Sequence, residues 1–415
     1  MDTVVERCAG IDIGKKTLTA CVRSPGEGRR RRQCETRTFS TWTSDLLALG
    51  DWLACQSVSV VGMESTGAYW KPVYQLLEDR FECWLLNARH MRNVPGRKTD
   101  VKDAEWIAQL VEAGLVRPSL VPPRPIRMLR NLTRYRQALM HERTRETQRL
   151  EKLLEDAGIK LSSVASDILG VSGRAILADL IAGQRDPVVL AEHAKRRLRS
   201  KIPTLREALT GHFNDHHALL AAGMIQRIDQ INVTIANLNE EITRRLTDYA
   251  HDIALLTTIP GVGLRVAEVF IVETGGDMTR FPTAAHLASW AGLCPGSNDS
   301  AGKHFSGSTR KGSKNLRAAL VEGARAAAQS KDTYLHAQYW RIKGRRGERR
   351  AAVAVAHSIL VIAYHVLSRQ QPYHELGGDY FHNRVAAAAR TRHLVRELER
   401  LGQKVTLEPT ETTAV

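Results

Sequence analysis

The sequence predicts an α/β domain at its N-terminal end and a mainly α-helical remainder. Between residues 8 and about 115, apolar runs of strand length alternate with runs of helical periodicity, and turn residues separate them. After the stiff proline-rich segment 121–125, apolar residues recur at helical spacing. A chain of 415 residues is long enough for two or three domains, each with its own core.

The N-terminal elements are expected in the order strand, strand, strand, helix, strand, helix, strand, helix. The strands are predicted near residues 8–14, 17–23, 32–40, 58–63 and 81–87. The helices are predicted near residues 43–55, 68–79 and 100–114. A turn that begins at Pro25 joins the second and third strands as a hairpin. This order is that of an RNase H-like domain, in which the first strand, the fourth strand and the last helix carry metal-binding carboxylates.

Four carboxylates fall on those three elements. Asp12 lies in the first strand, and Glu64 ends the fourth strand just before residues that open a helix. Asp100 and Asp103 are three residues apart where the last helix begins, so both lie on one helical face. Carboxylates gathered at one site need a cation between them, and hard oxygen ligands favour Mg²⁺ or Mn²⁺ over zinc. Two such ions can activate the attacking oxygen and stabilise the leaving oxygen of a phosphodiester.

The overall charge and composition favour an intracellular protein that binds nucleic acid. The formal net charge of +16 favours a polyanionic partner, although charge that only maintains solubility is the alternative. The six cysteines form no CxxC pair and are interpreted as reduced core residues of a cytosolic protein. No signal peptide is visible. The longest apolar run, 351–367, contains two histidines and is shorter than a usual bilayer span, so we predict a buried helix and no membrane partner.

Two long helices are predicted in a connector that spans residues 126–250. The first is marked by leucines from Leu129 to Leu153, and the second carries apolar residues at spacings of three and four. These residues are Ile225, Ile228, Ile231, Ile235, Leu238, Ile242 and Leu246. This heptad seam predicts a coiled-coil hairpin or a dimer stalk, with an ordinary amphipathic core helix as the alternative. The stretch 160–220 is expected to be helical, and its role is not readable.

Residues 255–273 have the form of a helix-hairpin-helix motif. The segment Pro-Gly-Val-Gly lies between two runs of helical periodicity. In such a motif, glycines such as Gly261 and Gly263 let backbone amides at a helix N-terminus approach a phosphate. A purely structural turn between two helices is the alternative.

A basic, hydroxyl-rich loop follows over residues 297–317. Five serines and one threonine are interleaved there with basic residues, which include Lys303, Arg310, Lys311, Lys314 and Arg317. Such a loop can bind a phosphate backbone, or it can offer a hydroxyl nucleophile to phosphorus. These features place a C-terminal domain over 251–370. The tail 371–415 is basic and polar, and we expect disorder beyond Arg390 because apolar residues become rare.

Five segments of the chain resemble the DEDD transposases of the IS110 family of insertion sequences, which are relatives of the Piv-type DNA invertases. The segments are GIDIGKKTLTACV, GMESTGAYWKPVYQLLE, NARHMRNVPGRKTDVKDAEWIAQL, LLTTIPGVGLRVAEVFIVETG and AGLCPGSNDSAGKHFSGSTRKGSKNLR. They occur in the order of the family and cover residues 8–115 and 250–370. Because five segments agree in register, the resemblance is specific.

The resemblance implies a RuvC-like catalytic domain over residues 1–120, with Asp12, Glu64, Asp100 and Asp103 as a Mg²⁺-binding tetrad. It also implies a catalytic serine a few residues after a Gly-Leu-x-Pro step. That position corresponds to Ser300, with Ser297 as a weaker candidate. The family has a Ser-Ser-Gly-like step there, whereas this chain has Asp-Ser-Ala.

The resemblance further implies partners. A transposase of this family acts on donor and target DNA and uses a structured noncoding bridge RNA whose loops pair with both DNAs. A homo-oligomer, either a dimer or a tetramer, is expected, as is a location at the prokaryotic nucleoid in the cytoplasm. Two other functions remain open: a RuvC-like structure-selective nuclease that uses metal-activated water, and a scaffold that binds DNA or RNA without catalysis.

Overall fold

The computed structural model describes residues 4–26, 32–65, 67–87, 103–295, 299–300, 303–304, 309, 311–383 and 387–407. The chain forms two compact units, which divide after Pro122. The first unit contains a five-stranded mixed sheet with helices, and the described part of the second is almost entirely helical. The predicted arrangement of a sheet-containing N-terminal domain and a mainly helical remainder is therefore confirmed.

The elements of the first unit follow the predicted order. Its strands are β1 (Cys8–Ile13), β2 (Thr17–Ser24), β3 (Gln33–Ser40), β4 (Val60–Glu64) and β5 (Glu82–Leu86), and its described helices are α1 (Thr43–Cys55), α2 (Trp70–Leu77) and α3 (Asp103–Glu112). The strands lie in the order β3-β2-β1-β4-β5. Strands β1, β2 and β3 pair antiparallel, whereas β4 pairs parallel with both β1 and β5. The expected start of the last helix at Asp100 lies outside the described residues.

Each face of this sheet has its own apolar core. On one face, Ile11 of β1 belongs to a buried cluster with Leu49 of α1 and Val73 of α2. On the other face, Cys8 of β1 belongs to a buried cluster with Leu110 of α3. Because successive side chains along a strand point to opposite faces, the even-numbered positions of β1 face α3.

Two long helices open the second unit and pack along each other. They are α4 (Arg124–Asp156) and α9 (Asp215–Arg245). Arg136 donates to Asn239 and Arg143 donates to Asn232, both at 3.1 Å, so the helices run antiparallel within one chain. Their apolar seam includes Ile228, which is fully buried. The two predicted helices are present as a hairpin, and supercoiling of the pair stays a prediction.

Residues 157–214 form a small helical subdomain between the two long helices. It consists of α5 (Leu161–Val164), α6 (Val171–Ile181), α7 (Pro187–Ala191), a 3-10 helix (Arg196–Lys201) and α8 (Ile202–Ala208). Ile176, Leu177 and Leu205 are fully buried in one apolar cluster that Leu150 of α4 also joins. The sequence predicts helix in this stretch, and the structure adds an apolar core that the subdomain shares with the adjoining ends of the two long helices.

Among the described residues between 250 and 369 there are six further α-helices, and one of them is central. They are α10 (Ala250–Thr257), α11 (Leu264–Thr274), α12 (Ala284–Ala291), α13 (Lys314–Ala327), α14 (Tyr334–Arg346) and α15 (Glu348–Arg369). Helix α15 packs against α10, α12, α13 and α14, and Val355, Ile359 and Ala363 are buried along it. In the described part of the chain it alone is long and apolar enough to cross a membrane, and half of its most apolar window is buried. The predicted buried helix over 351–367 is confirmed.

The C-terminal tail contains helix where we expected disorder. A short helix, α16, covers Tyr380–Asn383, and α17 covers Ala387–Arg400. The expectation of disorder beyond Arg390 is therefore wrong up to residue 400. Leu394 and Leu398 recur at helical spacing, and His393 lies 3.3 Å from Glu397 one turn later, so local interactions favour a helix in this segment. Residues 408–415 lie outside the described residues.

Candidate active site

Asp12 and Glu64 emerge together at the carboxyl ends of two neighbouring parallel strands. The register of β1 and β4 pairs Gly10 with Gly62 and Ile11 with Met63. The two carboxylates are the next residues on their strands. Because parallel strands in register point matched side chains to the same face, both carboxylates lie on the face that α3 covers. Both residues are half-buried.

A pair of glycines lets α3 lie directly on this face of the sheet. A Cβ atom on Gly10 would lie 2.2 Å from the backbone nitrogen of Ala108 and 2.4 Å from the backbone oxygen of Ala104. A Cβ atom on Gly62 would lie 2.5 Å from Cγ2 of Val111. A side chain at Gly10 would push the helix away from the strands, and one at Gly62 would displace the side chain of Val111. The close approach therefore depends on paired glycines in adjacent strands.

Helix α3 runs so that its first turn lies beside the carboxyl end of β1. Before β1 begins, the amide of Val5 donates to the backbone oxygen of Glu112 at the last residue of α3. Farther along, the thiol of Cys8 donates to the backbone oxygen of Ala108 at 3.4 Å. Later residues of β1 therefore lie beside earlier residues of α3, so the strand and the helix run antiparallel. Asp103, the first residue of α3, lies at the end of the sheet that carries the strand carboxylates.

The donor chemistry of this sheet end fits a hard divalent cation. Asp12, Glu64 and Asp103 offer only carboxylate oxygens, which Mg²⁺ and Mn²⁺ prefer. In the described ranges, no three Asp, Glu, His or Cys side chains are grouped closely enough to hold a metal ion. Asp100, the fourth expected ligand, lies outside these ranges. The metal site therefore stays a prediction, with three of its four residues on neighbouring elements.

The expected nucleophile, Ser300, lies in a short hairpin of the second unit. Strand β6 (Asp299–Ser300) pairs antiparallel with β7 (Lys303–His304), so that Ser300 is opposite Lys303. Farther from this turn, Pro295 forms an isolated bridge with Thr309. The loop thus folds back on itself and carries Ser300 close to its turn. Ser297 and Arg310 lie outside the described residues.

The end of this loop is held against the helical core. A Cβ atom on Gly312 would lie 2.3 Å from the backbone carbon of Ala291, so the loop touches the end of α12. Ser313 then caps α13, since its hydroxyl accepts from the amide of Leu316 at 3.3 Å. The same hydroxyl donates to the carboxylate of Glu273 at 3.0 Å. Of the basic residues that follow, Lys311 and Lys314 are exposed, and Arg317 is half-buried.

Glu273 is the centre of a buried ion-pair network that sequence reasoning missed. Two nitrogens of Arg134, on α4, donate to its two carboxylate oxygens at 2.9 Å each. Arg130, one turn earlier, donates to the backbone oxygen of Val272 at 3.0 Å. Burial by itself would raise the pKa of Glu273. The hydrogen bonds from Arg134 and Ser313 and the charges of both arginines outweigh burial and hold this pKa below its ordinary value of 4.5.

A second buried carboxylate, Glu268, lies on the same helix. It pairs with Arg136 of α4 at 2.8 Å and with Arg265 of its own helix at 2.8 Å. The signal for both pairs was present in the sequence, because Glu268 interrupts the apolar run 266–272 and Glu273 follows directly after it. A buried acid requires a cationic partner. The partner itself could not be read from the sequence, since α4 is more than a hundred residues away.

The two glycines of the expected helix-hairpin-helix have different surroundings. Gly261 has a φ of +82°, and a Cβ atom on it would lie 2.2 Å from the backbone oxygen of Gly323 on α13. Glycine at this position is therefore required by backbone conformation and helix packing. Gly263 caps α11, and a Cβ atom on it would meet nothing within 4 Å. A phosphate contact at Gly263 stays a prediction.

Comparison with known proteins agrees with the resemblance seen in the sequence. A family model for DEDD transposases of the IS110 type, described as "Transposase", matches residues 9–159. A second model, described as "Transposase IS116/IS110/IS902 family", matches residues 253–341. Together the two models cover more than half of the chain.

Individual relatives point to the same family. An uncharacterized 43.6 kDa protein of insertion element IS110 from Streptomyces coelicolor is 30% identical over 55% of this chain and 61% of its own length. The transposase for insertion sequence element IS1328 from Yersinia enterocolitica is 26% identical over 77% of this chain and 83% of its own. The pilin gene-inverting protein of Moraxella bovis is 28% identical over 44% of this chain and 56% of its own. The matched region thus spans less than two thirds of the Streptomyces and Moraxella proteins. With both family models matched in the expected order, the chain belongs to the IS110 family of transposases.

Proposed function

We propose that this protein is a DNA recombinase that cuts and rejoins DNA strands during transposition of an insertion sequence. The observation that carries the proposal is the placement of Asp12 and Glu64 at the ends of adjacent strands, with Asp103 at the start of the helix that packs on the same face of the sheet. Relatives named as transposases and as a gene-inverting protein support the same chemistry.

The first unit is proposed to be an RNase H-like, RuvC-like catalytic domain. Its support is the strand order β3-β2-β1-β4-β5, with carboxylates at the ends of β1 and β4 and at the start of α3. Asp12, Glu64, Asp100 and Asp103 would hold Mg²⁺ or Mn²⁺. A bound divalent ion would supply charge stabilisation at the phosphorus and would lower the cost of deprotonating an attacking hydroxyl. The carboxylates themselves orient the ion and balance its charge.

Ser300 is proposed as the nucleophile. Its Oγ would form a bond to phosphorus while the bond to one DNA oxygen breaks, and the departing alcohol would take up a proton. The free energy of the broken DNA phosphodiester bond would be retained in the new bond between serine and phosphorus. A DNA hydroxyl could then attack that ester and reverse the sequence of bond changes, which rejoins DNA without a cofactor that supplies energy. Lys303, opposite Ser300 in the hairpin, would place positive charge beside the phosphate.

The decisive experiment compares single substitutions in a strand-exchange assay with purified full-length protein and Mg²⁺. Asp12→Asn and Ser300→Ala are each expected to abolish exchange, and Ser300→Ala is also expected to abolish the covalent protein-DNA adduct. Ser297→Ala is the matched control and is expected to retain both. If Ser300→Ala still cuts DNA, the structure-selective nuclease with metal-activated water is the better description. If Asp12→Asn changes nothing, the protein is a scaffold without catalysis.

The proposal extends to a structured noncoding RNA from the element, which would pair with donor and target DNA. The net charge of +16 favours polyanionic partners, and RNA is one of them. In this scheme the protein binds RNA by shape and backbone, and base pairing selects the DNA sites. Sequencing of RNA that copurifies with the protein tests this partner. Mass measurement in solution tests the expected dimer or tetramer.

A further inference from the structure

The junction of α14 and α15 carries a dense group of cations, which we call the basic tip. Helix α14 ends at Arg346, Gly347 with a φ of +80° reverses the chain, and α15 begins at Glu348. The basic tip consists of Arg341, Lys343, Arg345, Arg346, Arg349 and Arg350. All of these side chains are exposed except that of Lys343, which is half-buried. The second family model ends at residue 341, so five of the six cations lie beyond both family matches.

The charge of the basic tip is hardly balanced within the chain. Glu348 is the one acidic residue among ten consecutive residues, 341–350. Among the described residues, the single ion pair that involves the tip joins Lys343 to Glu348 at 3.9 Å. Arg349 and Arg350 also lie in the first turn of α15, where the helix dipole disfavours cations. An anion from outside the chain would relieve both sources of repulsion.

Aromatic rings hold two of the cations in place. The guanidinium of Arg341 lies 4.0 Å from the ring centroid of Phe381. The ammonium of Lys343 lies 4.5 Å from the ring centroid of Trp340. Cation-π contacts of this kind restrict long side chains before a ligand binds. A preorganised cation loses less conformational freedom on binding than an unrestrained one does.

Gly344 leaves the helix backbone open to solvent beside these cations. It lies in the last turn of α14, and a Cβ atom on it would meet nothing within 4 Å. Its φ is not in the left-handed region, so neither packing nor backbone conformation within the described chain requires glycine. Glycine weakens an exposed helix relative to alanine. Close approach of an external molecule to the backbone would account for its presence.

We propose that the basic tip binds the phosphate backbone of duplex DNA. The inference rests on the proposed function, which makes DNA the substrate. Duplex DNA presents about one negative charge per 1.7 Å of its axis, which suits six cations clustered at the ends of two helices. The tip lacks Asn and Gln, which read adenine. Its contacts would therefore position DNA in the recombination complex, whereas the selection of sites lies elsewhere.

The test is a salt series of binding affinity, measured by fluorescence anisotropy with full-length protein and a duplex that carries one end of the element. The variant combines Arg345→Gln, Arg346→Gln and Arg349→Gln. Each lost phosphate contact lowers the slope of log affinity against log salt concentration by about 0.9, so the slope should fall by roughly 2 to 3. At moderate salt we expect the affinity to fall at least about tenfold for the same reason.

A matched control removes the same charge from another exposed basic segment. It combines Arg196→Gln, Arg197→Gln and Arg199→Gln in the 157–214 subdomain. The affinity of this control for the duplex is expected to be within about twofold of that of the unsubstituted protein, because the three substituted arginines lie outside the basic tip. An equal loss in the control would show that total charge matters rather than the tip, and that result overturns the proposal.

Two further measurements separate the remaining outcomes. Gly344→Leu should keep the helical circular dichroism signal and still weaken duplex binding, and unchanged affinity would contradict close approach. If the tip variant keeps duplex binding and loses binding to a structured RNA, the tip is an RNA site and the proposal is wrong. If the unsubstituted protein binds no duplex, the proposed recombinase function is itself wrong, and the proposal about the tip is wrong with it. If only the proposal about the tip is wrong, the unsubstituted protein still carries out strand exchange.

Discussion

Removal of the negative charge at Glu273 should destabilise the helical unit. It should also disturb the basic, hydroxyl-rich loop that carries Ser300, which we call the serine loop. The carboxylate is almost fully buried, with 2% of its side chain exposed, and it accepts two hydrogen bonds from Arg134. It also accepts a hydrogen bond from Ser313, which ends the loop that carries Ser300. We expect Glu273→Gln to leave Arg130 and Arg134 without their compensating charge and to loosen the anchor of the loop.

The size of the effect follows from the burial of the partners. Removal of one member of a buried ion pair costs about 3 to 5 kcal/mol. Arg130 is 15% exposed, but Arg134 is 46% exposed and can be partly hydrated after the substitution. The expected loss is therefore at the lower end, about 3 kcal/mol. For a unit of this size, that loss lowers Tm by roughly 6 °C.

Thermal unfolding followed by the helical circular dichroism signal measures this change. Asp229→Asn is the matched control, because it removes a carboxylate from the surface pair with Arg174, and Asp229 is 52% exposed. We expect that control to cost less than about 1 kcal/mol. Combining Glu273→Gln with Arg134→Met should destabilise less than the sum of the two single changes, because each removes the same interaction.

Three results would contradict the expected role of Glu273. A Tm for Glu273→Gln within about 1 °C of the unsubstituted protein would mean that the network contributes little to stability. Strict additivity in the double substitution would mean that Arg134 and Glu273 do not depend on each other. Full strand exchange by a destabilised Glu273→Gln protein, measured well below its Tm, would show that the anchor does not position the loop.

Three other outcomes are expected. Burial alone would raise the pKa of Glu112 and of Glu273, but hydrogen bonds with arginines lower both pKa values below 4.5. The stability that the two ionised carboxylates contribute is therefore complete above about pH 4.5 and is lost as pH falls through the lowered pKa values. Tm should fall in that acid range, and it should fall less steeply in Glu273→Gln. Gly10→Ala should cost about 2 kcal/mol or more and reduce strand exchange, because its Cβ atom would overlap the backbone of α3; an unchanged Tm contradicts the close approach. Gly261→Ala should lower Tm, whereas Gly263→Ala should leave it unchanged and weaken DNA binding; equal effects of the two on Tm would contradict their different surroundings.

Secondary structure was predictable over most of the chain because its signals are local. The alternation in β1 and β2 and the helical spacing in α9 and α15 depend on residues a few positions apart. The low apolar content of the tail predicts disorder, whereas the helical spacing of its leucines favours the helix α17 that the structure contains. The placement of Asp12 and Glu64 at strand ends was also a local inference, since turn and capping residues mark where those strands stop.

The sequence by itself therefore determined the order of elements, the family and the identity of the candidate catalytic residues. Only the tertiary structure decided which distant residues meet. Gly10 and Gly62 pair across two strands, and their lack of side chains sets how closely α3 approaches the carboxylates. Arg134 and Glu273 are 139 residues apart and form an ion pair whose buried carboxylate also anchors Ser313. Such contacts depend on how whole elements pack against each other, and no local periodicity encodes the packing partner of a buried charge or of a glycine.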